Sequence, residues 1–414
     1  LIAEKIAQGQ WDAHLGRSDS AFVNAAAWGL MLTGKITDLE RGGERDAGNF
    51  LKRMVARSGE SVIRTAMGQA MRVMGGHFVL GRTIKEAMAE ARKARPTGTV
   101  HSYDMLGEGA RTWEQATRYL DAYVKAIDAV GAEAAGRGPM AAPGVSIKLS
   151  ALHPRYVQAQ HADVMARLVP AVKGLALQAK RWDINLTIDA EEADRLELSQ
   201  DILSALAHDP DLAGWNGLGL AIQAYSKRTH LLVDWLVDLA RAAGRRLMVR
   251  LVKGAYWDTE IKMSQIASHP DYPVFTRKAA TDLSYLVCAR KMLAARDAIY
   301  PQFATHNAYT IAAILHLAGD NRDLEFQRLH GMGELLYTAA REVLPSFPRV
   351  RIYAPVGTHE DLLPYLVRRL LENGANSNFV NAYMDPEVPV SDVVADPAAF
   401  LEKEGMRPDR RPRH

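Results

Sequence analysis

"LGLAIQAYSKRTHLLVDWLVDLARAAGRRLMVRLVKG", residues 218–254, holds the pattern that decides the fold. It opens on a short apolar run, "LGLAIQAY", and closes on a second, "LMVRLVKG". Between them "HLLVDWLVDLARAAG" repeats apolar residues at three- and four-residue steps, the spacing of a helix with one buried face. Strand, helix, strand is the unit of a parallel sheet covered by helices.

The same rhythm extends in both directions. Upstream strand candidates are "TVHSYDM" (99–105), "VSIKLS" (145–150) and "NLTIDA" (185–190); downstream ones are "QFATHN" (302–307), "LEFQRLH" (324–330) and "RVRIYAP" (349–355). Helical stretches such as "TWEQATRYLDAYVKAIDAV" and "ADVMARLVPAVKGLALQAKR" separate them. An open doubly wound sheet shares this rhythm, but about eight repeats favour a closed (βα)₈ barrel. The expectation is a distorted barrel over residues 96–383, preceded by a helical segment, 1–95, and followed by a linker or tail, 384–414, leading toward a further module.

A barrel of this kind gathers its chemistry at the carboxyl ends of the strands. Nearly every candidate strand ends in a polar residue: Asp104, Lys148, Asp189, Gln223, Arg250, Lys253, His306, Arg328 and Tyr353. Any one of these has a bland explanation as a strand meeting a polar loop. Together they predict a charged ring.

The bulk numbers narrow the function. With 414 residues and 48% hydrophobic content, the chain can bury a large core. Lysine plus arginine number 51 against 48 acids, so a broad nucleic-acid-binding surface is unsupported. Cys288 is the single cysteine, which leaves no internal disulfide and fits a reducing compartment. No apolar run approaches the ~20 residues that span a bilayer. The start, "LIAEKIAQGQ", has no initiating methionine and reads as mid-helix, the mark of a fragment.

Several motifs fail on inspection. "GLMLTGKI" (29–36) approaches a phosphate-binding loop but has Ile36 where a hydroxyl is needed. "NLT" at Asn185 lies in a strand candidate. There is no G-x-G-x-x-G, no H-E-x-x-H and no paired cysteine, so no metal site is expected. "MVRLVKGAYWD" (248–258) is more informative: Arg250 and Lys253 precede a glycine that lets backbone approach a ligand closely. A strand end with solvated cations is the alternative. Asp189 precedes an acidic helix start, and Thr305, His306 and Asn307 close another strand. "YLVRRLLENGANSNFVN" (365–381) sets Tyr365, Arg368, Arg369 and Glu372 on one helical stripe. It is a solvated face or a ligand-facing one.

"YLVRRLLENGAN", "VKGAYWD", "PQFATHN", "LHGMGE", "YAPVGTHEDLL", "SYDMLGE" and "SGESVIRTAMGQAMRVMGGHFVLGRTI" together resemble proline dehydrogenases. The likeness is strongest to the proline dehydrogenase part of the bifunctional bacterial enzymes called proline utilization A. It implies a barrel that uses FAD to oxidise L-proline to Δ¹-pyrroline-5-carboxylate by hydride transfer to flavin N5. Electrons then pass to a membrane quinone, from a cytoplasmic protein attached peripherally to the inner membrane face. By the same resemblance Arg250, Tyr256 and Asp189 are catalytic. Lys148, Leu251, Leu329, Tyr353, Tyr365, Arg368 and Arg369 complete the proline site, and Glu108 pairs with Arg368 to help close it. Gln223, Arg250, Lys253, Gly254, Ala255, Trp257, Thr276, Arg277, Lys278, Thr305, His306, Glu372 and Phe379 fall at cofactor positions.

Asn378 stands where the family commonly has serine, beside one expected adenosine-side contact. A fused aldehyde dehydrogenase module and an N-terminal DNA-binding module are expected to be missing from this chain. It would therefore stop at pyrroline-5-carboxylate and bind no nucleic acid. A Schiff-base barrel enzyme using Lys148 or Lys253 is the rival reading.

Overall fold

Eight parallel strands close into a barrel in chain order: β1 (Thr99–Met105), β2 (Gly144–Ile147), β3 (Leu186–Ile188), β4 (Leu218–Gln223), β5 (Leu247–Val252), β6 (Ile299–Ala304), β7 (Glu325–Leu329) and β8 (Arg349–Val356). Seven register pairs, from Thr99↔Val350 to Met105↔Val356, join the last strand to the first. This computed structural model describes residues 76, 78–93, 99–358, 361–374, 389, 394 and 396–403. The phosphate-loop look-alike at 29–36 and Phe379 lie outside them.

Side chains alternate across each strand, and here the alternation separates two chemistries. Outward positions are apolar: Val145 and Ile147, Leu186 and Ile188, Leu220 and Ile222, Val249 and Leu251, all buried in one core with the surrounding helices. Inward positions are small or polar: Ser102 and Asp104, Ser146, Thr187, Arg250, Gln302, Glu325 and Arg351, all buried. The greasy core is thus the shell between strands and helices. At the amino end of the barrel, Arg351 binds both oxygens of Glu325, at 2.6 and 3.0 Å, and the carbonyls of Ala142 and Met140.

The strand β6 begins three residues earlier than its polar end predicts, and it includes Pro301. Leu247 donates to Ala298 at 2.9 Å. Alternation then turns the N–H of residues 300 and 302 toward β5 and position 301 away from it. On that side β7 pairs only from Gln302 onward. A residue without an N–H costs no ladder bond there.

Helices on either side of residues 96–383 pack against the barrel. The helix Ile84–Lys93 buries Ala87, Met88 and Ala91 in the barrel's own core. In the expected linker, the helix Pro397–Lys403 packs against the helix Lys278–Ala294 and buries Leu401.

The distortion lies in the helix that follows β8, Leu363–Gly374. Leu362, Tyr365 and Leu366 form a separate cluster with Phe78 and Leu106, packed against Met332 and Tyr353. Leu106 follows β1 and Met332 follows β7, so the helix crosses the carboxyl-end mouth instead of lying along the barrel wall.

Candidate active site

At that mouth a buried charge cluster forms from residues on five strands or strand ends. Lys148 Nζ donates to both oxygens of Asp104 at 2.8 Å, to Asp189 Oδ2 at 3.2 Å and to the Tyr353 hydroxyl at 3.3 Å. Arg250 donates from Nη1 to Asp189 Oδ1 at 2.7 Å and from Nη2 to Ser146 Oγ at 2.7 Å. Tyr353 donates to Asp189 Oδ2 at 2.6 Å, and its ring lies 5.1 Å below the Arg250 guanidinium carbon. Two carboxylates and two cations balance, which is how charges survive burial.

The electrostatics differ across the cluster. Burial, offset only in part by Lys148, holds the Asp104 carboxyl above the ordinary aspartate value. Burial also acts on Asp189, but Lys148, Arg250 and the Tyr353 hydroxyl outweigh it and hold that carboxyl below the ordinary value. Burial opposes the charge on Lys148, yet its acidic neighbours hold the ammonium well above the usual lysine value. A Schiff-base lysine needs the reverse shift. Lys253, the other lysine of that reading, is ion-paired with Asp282.

Above the cluster, Arg368 meets Glu108 in a two-pronged pair at 2.6 and 2.7 Å and covers the Tyr256 ring at 5.0 Å. Arg369 is buried, with its guanidinium carbon 5.3 Å from the Tyr365 ring centre. The helix Leu363–Gly374 therefore bridges the loop after β1 and the loop after β5. Leu329 shares the inward register of Tyr353, to which it is paired. Leu251 does not join them. It alternates with Arg250, and its fully buried side chain packs in the outer core, so it cannot wall the barrel interior.

The cofactor candidates lie along the ends of β4 to β7. The Gln223 amide donates to the Glu191 carbonyl at 2.8 Å and accepts from the Ala255 N–H at 3.4 Å. His306 Nε2 accepts from the Leu329 N–H at 3.1 Å, which places the ring proton on Nδ1. Thr305 Oγ1 accepts from the Asn307 N–H at 3.1 Å. Gly254 has φ +139°, and a Cβ there would collide with the Tyr225 ring at 2.5 Å. The close approach that requires glycine is therefore made by this ring. Trp257 donates to the Phe275 carbonyl at 2.8 Å, and Val274 pairs with Ser226, fixing the chain that leads to Thr276 and Arg277. Arg277 occupies the N-cap position of the helix Lys278–Ala294, and Lys253 and Lys278 both bind Asp282. The side chain of Glu372 lies outside the description.

A dinucleotide such as FAD fits this donor set. Two lysines beside a helix start suit a diphosphate, and Arg250 Nε is buried without a partner among the described residues, next to the charge cluster. Among those residues no group of three or more metal-ligating side chains forms, and no helix is long and apolar enough to cross a membrane.

Ser102, Ser146 and Asp282 also carry site contacts, beyond the polar strand ends and the family positions. Period two reveals the serines, since each lies two residues before an inward-facing strand end. Asp282 is signalled only by its i,i+4 spacing from Lys278 on one helix; its other partner, Lys253, is 29 residues away.

A closed (βα)₈ barrel with a cationic helix over a buried carboxylate–ammonium cluster defines an enzyme-type site for a small charged molecule. Comparison with known proteins names the family. A sequence model described as proline dehydrogenase matches residues 87–382, and the chain belongs to that family. Residues 1–78 match the DNA-binding domain of proline dehydrogenase, which weighs against the expectation of no nucleic-acid partner.

The bifunctional protein PutA of Salmonella typhimurium is 54% identical over 409 residues, covering 97% of this chain and 31% of its own length. That of Rhizobium meliloti is 55% identical over 405 residues, covering 97% and 32%. A crystal structure of a Bradyrhizobium japonicum proline utilization A variant superposes with a TM-score of 0.76 at 47% identity, covering 97% of this chain and 42% of that one. The chain spans about a third of the length of these curated relatives.

Proposed function

We propose that the chain is an FAD-dependent proline dehydrogenase that oxidises L-proline to Δ¹-pyrroline-5-carboxylate, with a membrane quinone as final acceptor. The observation that carries this reading is the vertical order of charge. Arg368 and Arg369 lie on the helix that crosses the mouth and Asp189 in the buried cluster at the strand ends, so an amino acid could set its carboxylate against the guanidinium groups and its nitrogen toward Asp189. Tyr256, Tyr353, Tyr365 and Leu329 supply the apolar sides that a proline ring needs.

FAD, once bound, supplies the two-electron redox step by accepting hydride. The protein's share is orientation and exclusion of water. Arg250, fixed by Asp189 and Ser146, would hold the cofactor through its Nε, unpartnered among the described residues. Lys148 already spends its three N–H groups on Asp104, Asp189 and Tyr353. Its contribution is to hold Asp189 in place, and gripping the substrate directly would cost one of those bonds. Hydride leaves the ring carbon beside nitrogen only from the neutral amine, so the substrate's ammonium must first give up a proton.

The bifunctional relatives and their greater length support a parent chain with a fused aldehyde dehydrogenase module. In that parent the protein would be cytoplasmic and attached peripherally to the membrane holding its quinone. Turnover with L-proline and a soluble quinone, trapping the cyclic imine with o-aminobenzaldehyde, tests the reaction. Imine formation that requires both proline and FAD supports it. An FAD-loaded protein that forms none overturns it.

A further inference from the structure

Glu108 is carried between two glycines, Gly107 at φ +142° and Gly109 at φ +58°. A Cβ on Gly107 would strike the Tyr119 ring at 2.3 Å, whereas one on Gly109 would meet nothing within 4 Å. Tyr119 thus packs against Gly107, and open space lies beside Gly109. On that side the position at which Glu108 meets Arg368 rests on hydrogen bonds to the loop's backbone.

Ser150 makes those contacts. Its Oγ accepts from the Gly109 N–H at 2.9 Å, and its carbonyl oxygen accepts from the Ala110 N–H at 2.8 Å. Its own N–H donates to Glu191 Oε1 at 3.0 Å, and Arg195 holds the other oxygen of Glu191 at 3.0 Å. Ser150 is 2% exposed and lies in the short turn after β2, while Glu191 follows β3. Loops after three neighbouring strands are thus tied in series: Glu191 holds Ser150, Ser150 holds Gly109 and Ala110, and Glu108 holds Arg368.

We infer that Ser150 is a positioning residue that latches the Glu108 loop and so sets Arg368 for substrate binding. Its kinetic readout rests on the proposed oxidation of proline. The serine hydroxyl is the one part of the latch that substitution by alanine removes cleanly, since the backbone bonds on either side survive.

The test uses Ser150→Ala, Glu108→Ala and the double variant in the full chain with FAD. Tryptic cleavage after Arg111, an exposed residue at the end of the loop, is followed by mass spectrometry and needs no activity. One lost hydrogen bond should speed that cleavage about five- to tenfold in Ser150→Ala, with other sites unchanged. The same variant should raise KM for L-proline by about fivefold, with kcat within about twofold of the parent. In the Glu108→Ala background the substitution should add no further rise in KM. Unchanged cleavage at Arg111, a rise shared by all sites, or KM effects that multiply would each overturn the latch. A parent protein that does not oxidise proline would defeat the functional reading alone, and the cleavage ratio would still decide the role of Ser150.

Discussion

Arg368 and Glu108 are 260 residues apart in the chain, yet their side chains form a two-pronged ion pair at 2.6 and 2.7 Å. The pair ties the first loop of the barrel to its last helix, across the mouth that holds the charge cluster.

The pair carries its own pH signature. Burial raises the Glu108 carboxyl, but the hydrogen bonds and charge of Arg368 more than offset it, leaving the value below the ordinary 4.5. A carboxyl lowered on folding stabilises the protein above its unfolded value, and that contribution is lost as pH falls through the folded one. The difference in Tm between the parent and Glu108→Gln should be constant from neutral pH down to about 5 and shrink below 4.5. A difference that grows on acidification would contradict the pairing.

Arg369 tests the carboxylate assignment without disturbing that pair. Arg369→Met should raise KM for L-proline at least about tenfold while FAD content is unchanged, as expected for loss of a charge-assisted contact. An unaltered KM would remove Arg369 from the substrate site.

Tyr353 would link the proposed substrate site to the charge cluster through its 2.6 Å bond to Asp189. Tyr353→Phe keeps the ring and deletes that bond to a charged acceptor. The expected loss in kcat/KM is about tenfold or more, measured with the cofactor saturating. Equal kcat/KM in both proteins would show the hydroxyl to be idle.

Arg351 offers the opposite outcome, at the far end of the barrel. Arg351→Met would leave Glu325 buried without its ion-pair partner, and breaking such a pair costs about 3–5 kcal/mol. Denaturant unfolding should show that loss, while KM for proline in the folded fraction stays unchanged. A large change in KM would mean that the two ends of the barrel are mechanically joined.

Much of this architecture is legible in the residues. All eight strands can be placed because each is a short apolar run between helical repeats, and their polar ends mark the mouth. Where the reading slips, the cause is geometric. The family likeness puts Leu251 on the substrate wall, whereas its alternation with Arg250 turns it toward the helices. Pro301 hides the start of β6, since proline is uncommon inside sheets and only ladder parity makes it harmless there. The crossing of the mouth by residues 363–374 depends on which face of a helix meets which loop. That information lies in the contacts of Leu106, Met332 and Glu108, far away in sequence. Ser150 is equally hidden, because nothing local distinguishes it from any other buried serine.

An anaerobic visible spectrum of the FAD-loaded protein, taken before and after adding L-proline, tests the central claim most directly. The account predicts flavin bands near ~450 nm that bleach on adding proline. Bands that persist with proline in excess would contradict it, for they would show a bound cofactor that this substrate cannot reduce.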